Sequence, residues 1–296
     1  MSPHTRALLQ IHLCVMLWGF TAILGKLITL SALPIVWWRM ILVAGALLLV
    51  PRFWSGLRVL PLRLVTIYAA IGVLVSLHWL TFYGSIKLAN ASVTATCMAL
   101  VPVFVAFVEP VIAKRRFDPA EVFFGIAVVP GVAMVVGGTP SGMRLGIAVG
   151  ALSAFLAAIF ASLNKRFIGN SQALTVTGIE MGAGAVFLSI VGLILPTAMF
   201  ALPSPRDAWL LAALATACTL FPFALSLVAL RRLSAFSASL VVNLEPIYAI
   251  LLAIVLLGEQ RELSSIFYFG VAIILIIVFS HPLWTARMRI RTPADA

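Results

Sequence analysis

This sequence is a near-unbroken succession of apolar runs, and few folds can hold that pattern. Ten runs are readable, at residues 7–28, 33–51, 64–86, 91–113, 120–137, 145–163, 173–195, 208–230, 235–257 and 264–281. A helix of about 18 residues or more crosses a hydrocarbon core of about 30 Å, and inside lipid it satisfies its own backbone polar groups. Only 10% of residues are charged while 63% are hydrophobic, whereas a soluble domain is about one quarter charged. The expected fold is an all-α polytopic membrane protein with ten transmembrane helices.

The net charge of +11 would suggest a nucleic-acid ligand in a soluble protein, but here its placement decides. With a cytoplasmic N-terminus, 14 of the 20 basic residues fall at cytoplasmic span ends: Arg6, Arg52, Arg58, Arg63, Lys114, Arg115, Arg116, Lys165, Arg166, Arg231, Arg232, Arg287, Arg289 and Arg291. Both termini are therefore expected inside, which requires an even number of spans. The first run is too long for a signal-peptide core and lacks a small-residue cleavage site, so it reads as a retained span.

A weak repeat runs through the chain. Residues 87–107 carry Ala91, Leu100 and Pro102, and residues 231–251 carry Ala235, Leu244 and Pro246 at a constant offset of 144. Ten spans divide five plus five at the Gly- and Pro-rich turn 137–142, giving a first repeat at 1–138, a second at 143–287 and a basic cytoplasmic tail at 288–296. Five is odd, so the second repeat starts from the opposite side and the halves have inverted topology.

Ionisable groups in hydrocarbon cost about 2.5–3.5 kcal/mol each on insertion scales, so intramembrane acids are functional candidates. Asp118, Glu121, Asp207, Glu259, Glu262 and Asp295 fall in loops or at span ends, which leaves Glu109, Glu180 and Glu245. Glu245 lies near mid-span before Pro246, whose missing N–H frees a backbone carbonyl. The two form a notch for an ammonium group or a proton, with a buried structural carboxylate as the alternative. Asn243 shares that face. The third span presents Ser76, Trp79 and Tyr83 at i, i+3 and i+7 with His78 adjoining. That stripe suits stacking on a flat solute, or else an interfacial anchor and a structural histidine. Trp18 in the first span and Thr219 in the eighth complete the candidate substrate-binding set, although hydroxyls in lipid commonly bond back to their own helix. Pro102, Pro222 and Pro246 are candidate hinges. Glu109 is expected to pair with Lys114, Arg115 or Arg116. Arg39 either holds a carboxylate at the outer mouth or locks the second span to its neighbours, and it is not expected to meet Glu180. Cys14, Cys97 and Cys218 are expected as apolar fillers without a disulfide.

No intramembrane pair of cations suits a phosphate, no His-x-x-x-His or Cys-x-x-Cys metal spacing occurs, and no Ser-His-Asp set can be assembled. Neither an enzyme nor a metal or other cofactor is expected.

The hairpins of spans 3–4 and 8–9 resemble the EamA repeat of the drug/metabolite transporter superfamily. Their starts are Ala91, Ser92 and Ala235, Phe236, Ser237, Pro102 and Pro246 lie mid-helix, and the second copy ends Leu257, Gly258, Glu259. Leu17, Trp18 and Gly19 with Lys26 resemble the family's first span, and Arg39 resembles the Arg near the start of its second. The first copy departs with Lys114 and Arg115 where the second has Gly258 and Glu259. Within the superfamily the chain is most similar to bacterial aromatic amino-acid exporters of the YddG type. The resemblance implies a secondary transporter of the bacterial inner membrane that exports aromatic or amphipathic amino acids, and the inverted repeat adds alternating access. The expected partners are that small-molecule substrate and the lipid bilayer, with no nucleic acid; coupling to protons and facilitated diffusion both stay open, as do a monomer and a larger assembly. A passive facilitator or pore, or a drug or purine exporter of the same superfamily, stays open as the alternative.

Overall fold

A computed structural model describes residues 3–114, 116–169, 171–194, 199–200, 202–222, 225, 241–242 and 244–291. The elements formed by these residues are all helical. The first half comprises α1 (Pro3–Leu27), α2 (Ala32–Leu48), α3 (Pro51–Val59), α4 (Leu62–Leu88), α5 (Ala91–Met98), α6 (Val101–Ala113), α7 (Pro119–Ala127) and α8 (Val129–Gly138). The second comprises α9 (Arg144–Phe167), α10 (Ala173–Ile194), α11 (Pro205–Ala215), α12 (Glu245–Leu252) and α13 (Ser265–Arg291). Among the described residues, six stretches are long and apolar enough to cross a membrane: Thr5–Leu27, Leu62–Leu88, Ala91–Ala113, Pro119–Gly138, Ser141–Phe167 and Ala173–Ile194. Shorter apolar helices occupy Glu245–Leu257 and Ser265–Ser280. The chain is a multi-pass membrane protein.

The basic stretch between the second and third spans reads as a loop in the sequence, but it folds as α3, turned 86° from α2. Pro51 starts it at a position where the missing N–H costs nothing. Its buried Phe53 lies against Gly178, where an added Cβ would come within 2.4 Å of the ring, while Arg52 and Arg58 stay exposed. An apolar edge with outward cations is the pattern of a helix lying along a membrane surface.

The repeat recurs in the backbone. Leu100 donates to the Cys97 carbonyl at 3.0 Å and Leu244 to the Val241 carbonyl at 3.0 Å, and in each case the next segment resumes with the proline in its first turn. A proline tolerated there would remove a helical bond deeper inside, so both helices break in the same place. The offset of 144 also relates Lys114 (φ 54°) to Gly258 (φ 69°), both left-handed helix ends.

Contacts gather helix ends into two sets. At the basic end, the Tyr68 hydroxyl donates to the Phe167 carbonyl at 2.7 Å and the Thr175 hydroxyl to the Phe53 carbonyl at 3.2 Å. Glu109 is paired there with Lys165 of α9. At the opposite end, Thr29 donates to Asp207 through its N–H at 3.0 Å and its hydroxyl at 2.5 Å. Glu259 accepts from the backbone N–H groups of Ala91 at 3.0 Å and Ser92 at 2.7 Å, and Asn90 donates to Glu262 at 2.9 Å. Asp207 and Glu259, read from sequence as loop acids, are 1% and 0% exposed. Each is buried because a turn or helix start presents N–H groups that nothing in their own segment can satisfy.

Between the two ends, α4 is packed by α9, α10 and α2. Gly72 lets α4 and α10 touch backbone to backbone, since a Cβ there would lie 2.2 Å from the Glu180 carbonyl oxygen.

Candidate functional site

The polar centre of the bundle is built on Arg39, two turns into α2 and 4% exposed. Its Nε donates to the Thr219 hydroxyl at 2.9 Å and a terminal nitrogen donates to the Tyr83 hydroxyl at 2.9 Å. The guanidinium carbon stands 3.7 Å from the centre of the Trp79 ring. Three helices thus meet on one cation. A stacked guanidinium is worth about 2 kcal/mol where water is excluded, which offsets much of the cost of placing an arginine in hydrocarbon.

Local structure prepares each partner. Tyr83 and Trp79 are four residues apart on α4 and so share a face. Thr219 belongs to a π-helical turn, Thr216–Leu220, in which Phe221 donates to the Thr216 carbonyl one residue further back than in an α-helix. Pro222 follows at once and removes the next amide donor, and such turns widen a helix and re-aim side chains. The Thr219 hydroxyl donates to the Leu214 carbonyl at 2.8 Å, leaving its lone pairs for Arg39. Two of the five guanidinium N–H groups are engaged by these side chains, and the remainder can serve a carboxylate in bidentate geometry.

Glu245, half-buried at the start of α12, interacts electrostatically with Arg39. A buried cation stacked on an indole, with a carboxyl group in electrostatic range, offers polar and aromatic groups that can meet a solute. Trp18 lies beyond this centre. It packs with Leu244 and Tyr248 in a separate apolar cluster of α1 and α12, where His12 and the Tyr248 hydroxyl lie 3.1 Å apart.

The structure brings together Trp79, Tyr83 and Thr219 around Arg39, with Glu245 in electrostatic range. Ser76 and His78 do not join them. Ser76 is fully buried and its hydroxyl donates to the Val73 carbonyl at 2.7 Å. His78 turns to α9, where its Nδ1 lies 2.9 Å from both the carbonyl and the hydroxyl oxygen of Ser153, while that hydroxyl donates to the His78 carbonyl at 2.9 Å. Phe82 and Phe160 flank the imidazole. Asn243 lies outside the described residues. Pro102 and Pro246 mark the two helix breaks, and Pro222 closes the π-helical turn.

Arg39 is the hub that sequence reasoning left between two roles. Its signal was the cost of an arginine inside an apolar run; that it meets the Trp79 and Tyr83 stripe of α4 and Thr219 after α11 carries no signal in local spacing.

Long apolar helices around a buried cation, an acid and aromatic side chains define a multi-pass membrane protein with a polar centre. The sequence profile of the EamA-like transporter family matches residues 5–137 and again 144–281, and the chain belongs to that family of membrane transporters. No curated protein matches it in sequence. Of 14 matching chains of known structure, one described only as the crystal structure of a protein superposes with a TM-score of 0.63 at 16% identity, covering 96% of this chain and 99% of that one. At that identity the likeness is one of fold.

Proposed function

We propose that the protein exports amino acids, aromatic or amphipathic, across a bacterial inner membrane by alternating access, with ten spans in two inverted repeats and both termini cytoplasmic. The observation that carries the substrate class is Arg39, sealed among Trp79, Tyr83 and Thr219 with N–H groups to spare and Glu245 in range. Arg39 takes the carboxylate of the solute, Glu245 its ammonium group, and Trp79 stacks on its side chain. The paired helix breaks before Pro102 and Pro246, 144 residues apart, support two related hairpins that swing about the centre. Asn243, two residues before Glu245 in sequence, and Trp18 of α1 complete the proposed substrate-binding set.

Counterflow in proteoliposomes tests this reading. Vesicles loaded with unlabelled phenylalanine accumulate labelled phenylalanine transiently, and internal phenethylamine, which lacks the carboxylate, drives no accumulation. Equal drive by the amine would remove the carboxylate role. Flux without any counterflow would mark a passive pore.

A further inference from the structure

Among the acids held between helices in the described part of the bundle, Glu109 has Lys165, Asp207 has Thr29 together with the charge of Lys87, and Glu259 has two backbone N–H groups, while Glu245 is part-exposed with the Arg39 charge in range. Glu180 on α10 is 6% exposed, and its Oε1 has no hydrogen-bond partner. The polar group that acts on it is the side chain of Asn164 on α9, whose own Oδ1 is buried and also lacks a donor. Two neighbouring side chains therefore hold orphan acceptor oxygens, and what is missing between them is hydrogen.

Gly72 draws the backbones of α4 and α10 together at Glu180. Among the described residues, the titratable groups on the surrounding helices are turned elsewhere or exposed. Arg39 of α2 is committed to Thr219 and Tyr83, and Arg52 and Arg58 of α3 are exposed. On α4, Arg63 is exposed, Tyr68 bonds Phe167, His78 bonds Ser153, Tyr83 bonds Arg39 and Lys87 donates to Ile28. On α9, Arg144 is exposed, Lys165 is paired with Glu109 and Arg166 donates to Ile112. An ionised carboxylate in hydrocarbon needs a cation or several N–H donors, and one neutral amide does not replace them. Adding one proton converts the carboxylate into a neutral acid with an O–H donor.

We propose that Glu180 and Asn164 form an intramembrane proton-binding site, separate from the Arg39 centre, in which Glu180 holds a proton at neutral pH and Asn164 hydrogen-bonds the acid. Ligand and site are thus a proton on a membrane-buried carboxyl.

Infrared difference spectroscopy of the full-length protein in lipid vesicles tests it without any solute. The wild type shows, at neutral pH, a protonated-carboxyl C=O band that shifts in heavy water and disappears on alkaline titration. Glu180→Gln loses that band, and Glu245→Gln keeps it. Asn164→Ala keeps the band but moves its frequency, which decides the matter should Glu180→Gln fail to fold. A band that survives Glu180→Gln, a wild type with no such band, or a band unmoved by Asn164→Ala would overturn the proposal. So would loss of the band on adding sodium at fixed pH, which would make the ligand a metal cation.

Discussion

Removing the Glu259 carboxylate tests how the end opposite the basic one is held shut. Glu259 is fully buried and bridges the turn after α12 to the first two N–H groups of α5, at 3.0 and 2.7 Å. Hydrogen bonds to a charged group contribute about 1.5–3 kcal/mol each, so Glu259→Ala, which breaks two and orphans both donors, costs about 3–6 kcal/mol. Glu259→Gln keeps one acceptor oxygen but turns an NH2 group toward the second N–H, and costs about half as much. For a chain of this size each kcal/mol moves the melting temperature by about 2 °C, so Glu259→Ala melts about 6–12 °C below the wild type and Glu259→Gln falls between. The three free cysteines are all buried, so a thiol-reactive dye reports unfolding of the detergent-solubilised protein directly. A Glu259→Ala melt within about 1 °C of the wild type would refute the claim that this carboxylate carries the closure.

Other expectations follow from the same packing. Ser153→Ala removes the hydroxyl clasping His78 and lowers stability by about 1–3 kcal/mol, while the apparent affinity for solute in counterflow stays unchanged. Gly72→Ala drives a methyl group into the Glu180 backbone and leaves little folded protein on size-exclusion chromatography, whereas Gly45→Ala, with open space around its Cβ, folds normally. Lys114→Gly relieves a left-handed residue and raises stability by about 1 kcal/mol in the same dye assay.

The helices and the recurrence of their breaks were legible in sequence because both are written locally. Apolar length makes a span, and a proline at the same place in two copies makes the same interruption. The stripe of Trp79 and Tyr83 was legible for the same reason, as helical spacing on one element. What stayed hidden is set by rotation and depth of one helix against another. His78 neighbours Trp79 in sequence, yet about 100° of helical rotation turns it to Ser153 and away from Arg39. Glu259 looks like a loop acid until α5 begins beside it. The amphipathic α3 reads as a loop because its basic residues interrupt the apolar pattern, although Phe53 and Gly56 lie on one face.

The central claim is that Arg39 reads the carboxylate of the transported solute. Competition by phenylalanine and by phenethylamine against labelled phenylalanine, in vesicles bearing the wild type and Arg39→Gln, tests it most directly. A charge-assisted carboxylate contact of about 1.5–3 kcal/mol makes phenylalanine the better competitor by about 10- to 100-fold in the wild type. In a folded Arg39→Gln protein that preference collapses toward unity. A variant that folds, transports and still prefers phenylalanine by the wild-type margin would contradict the account.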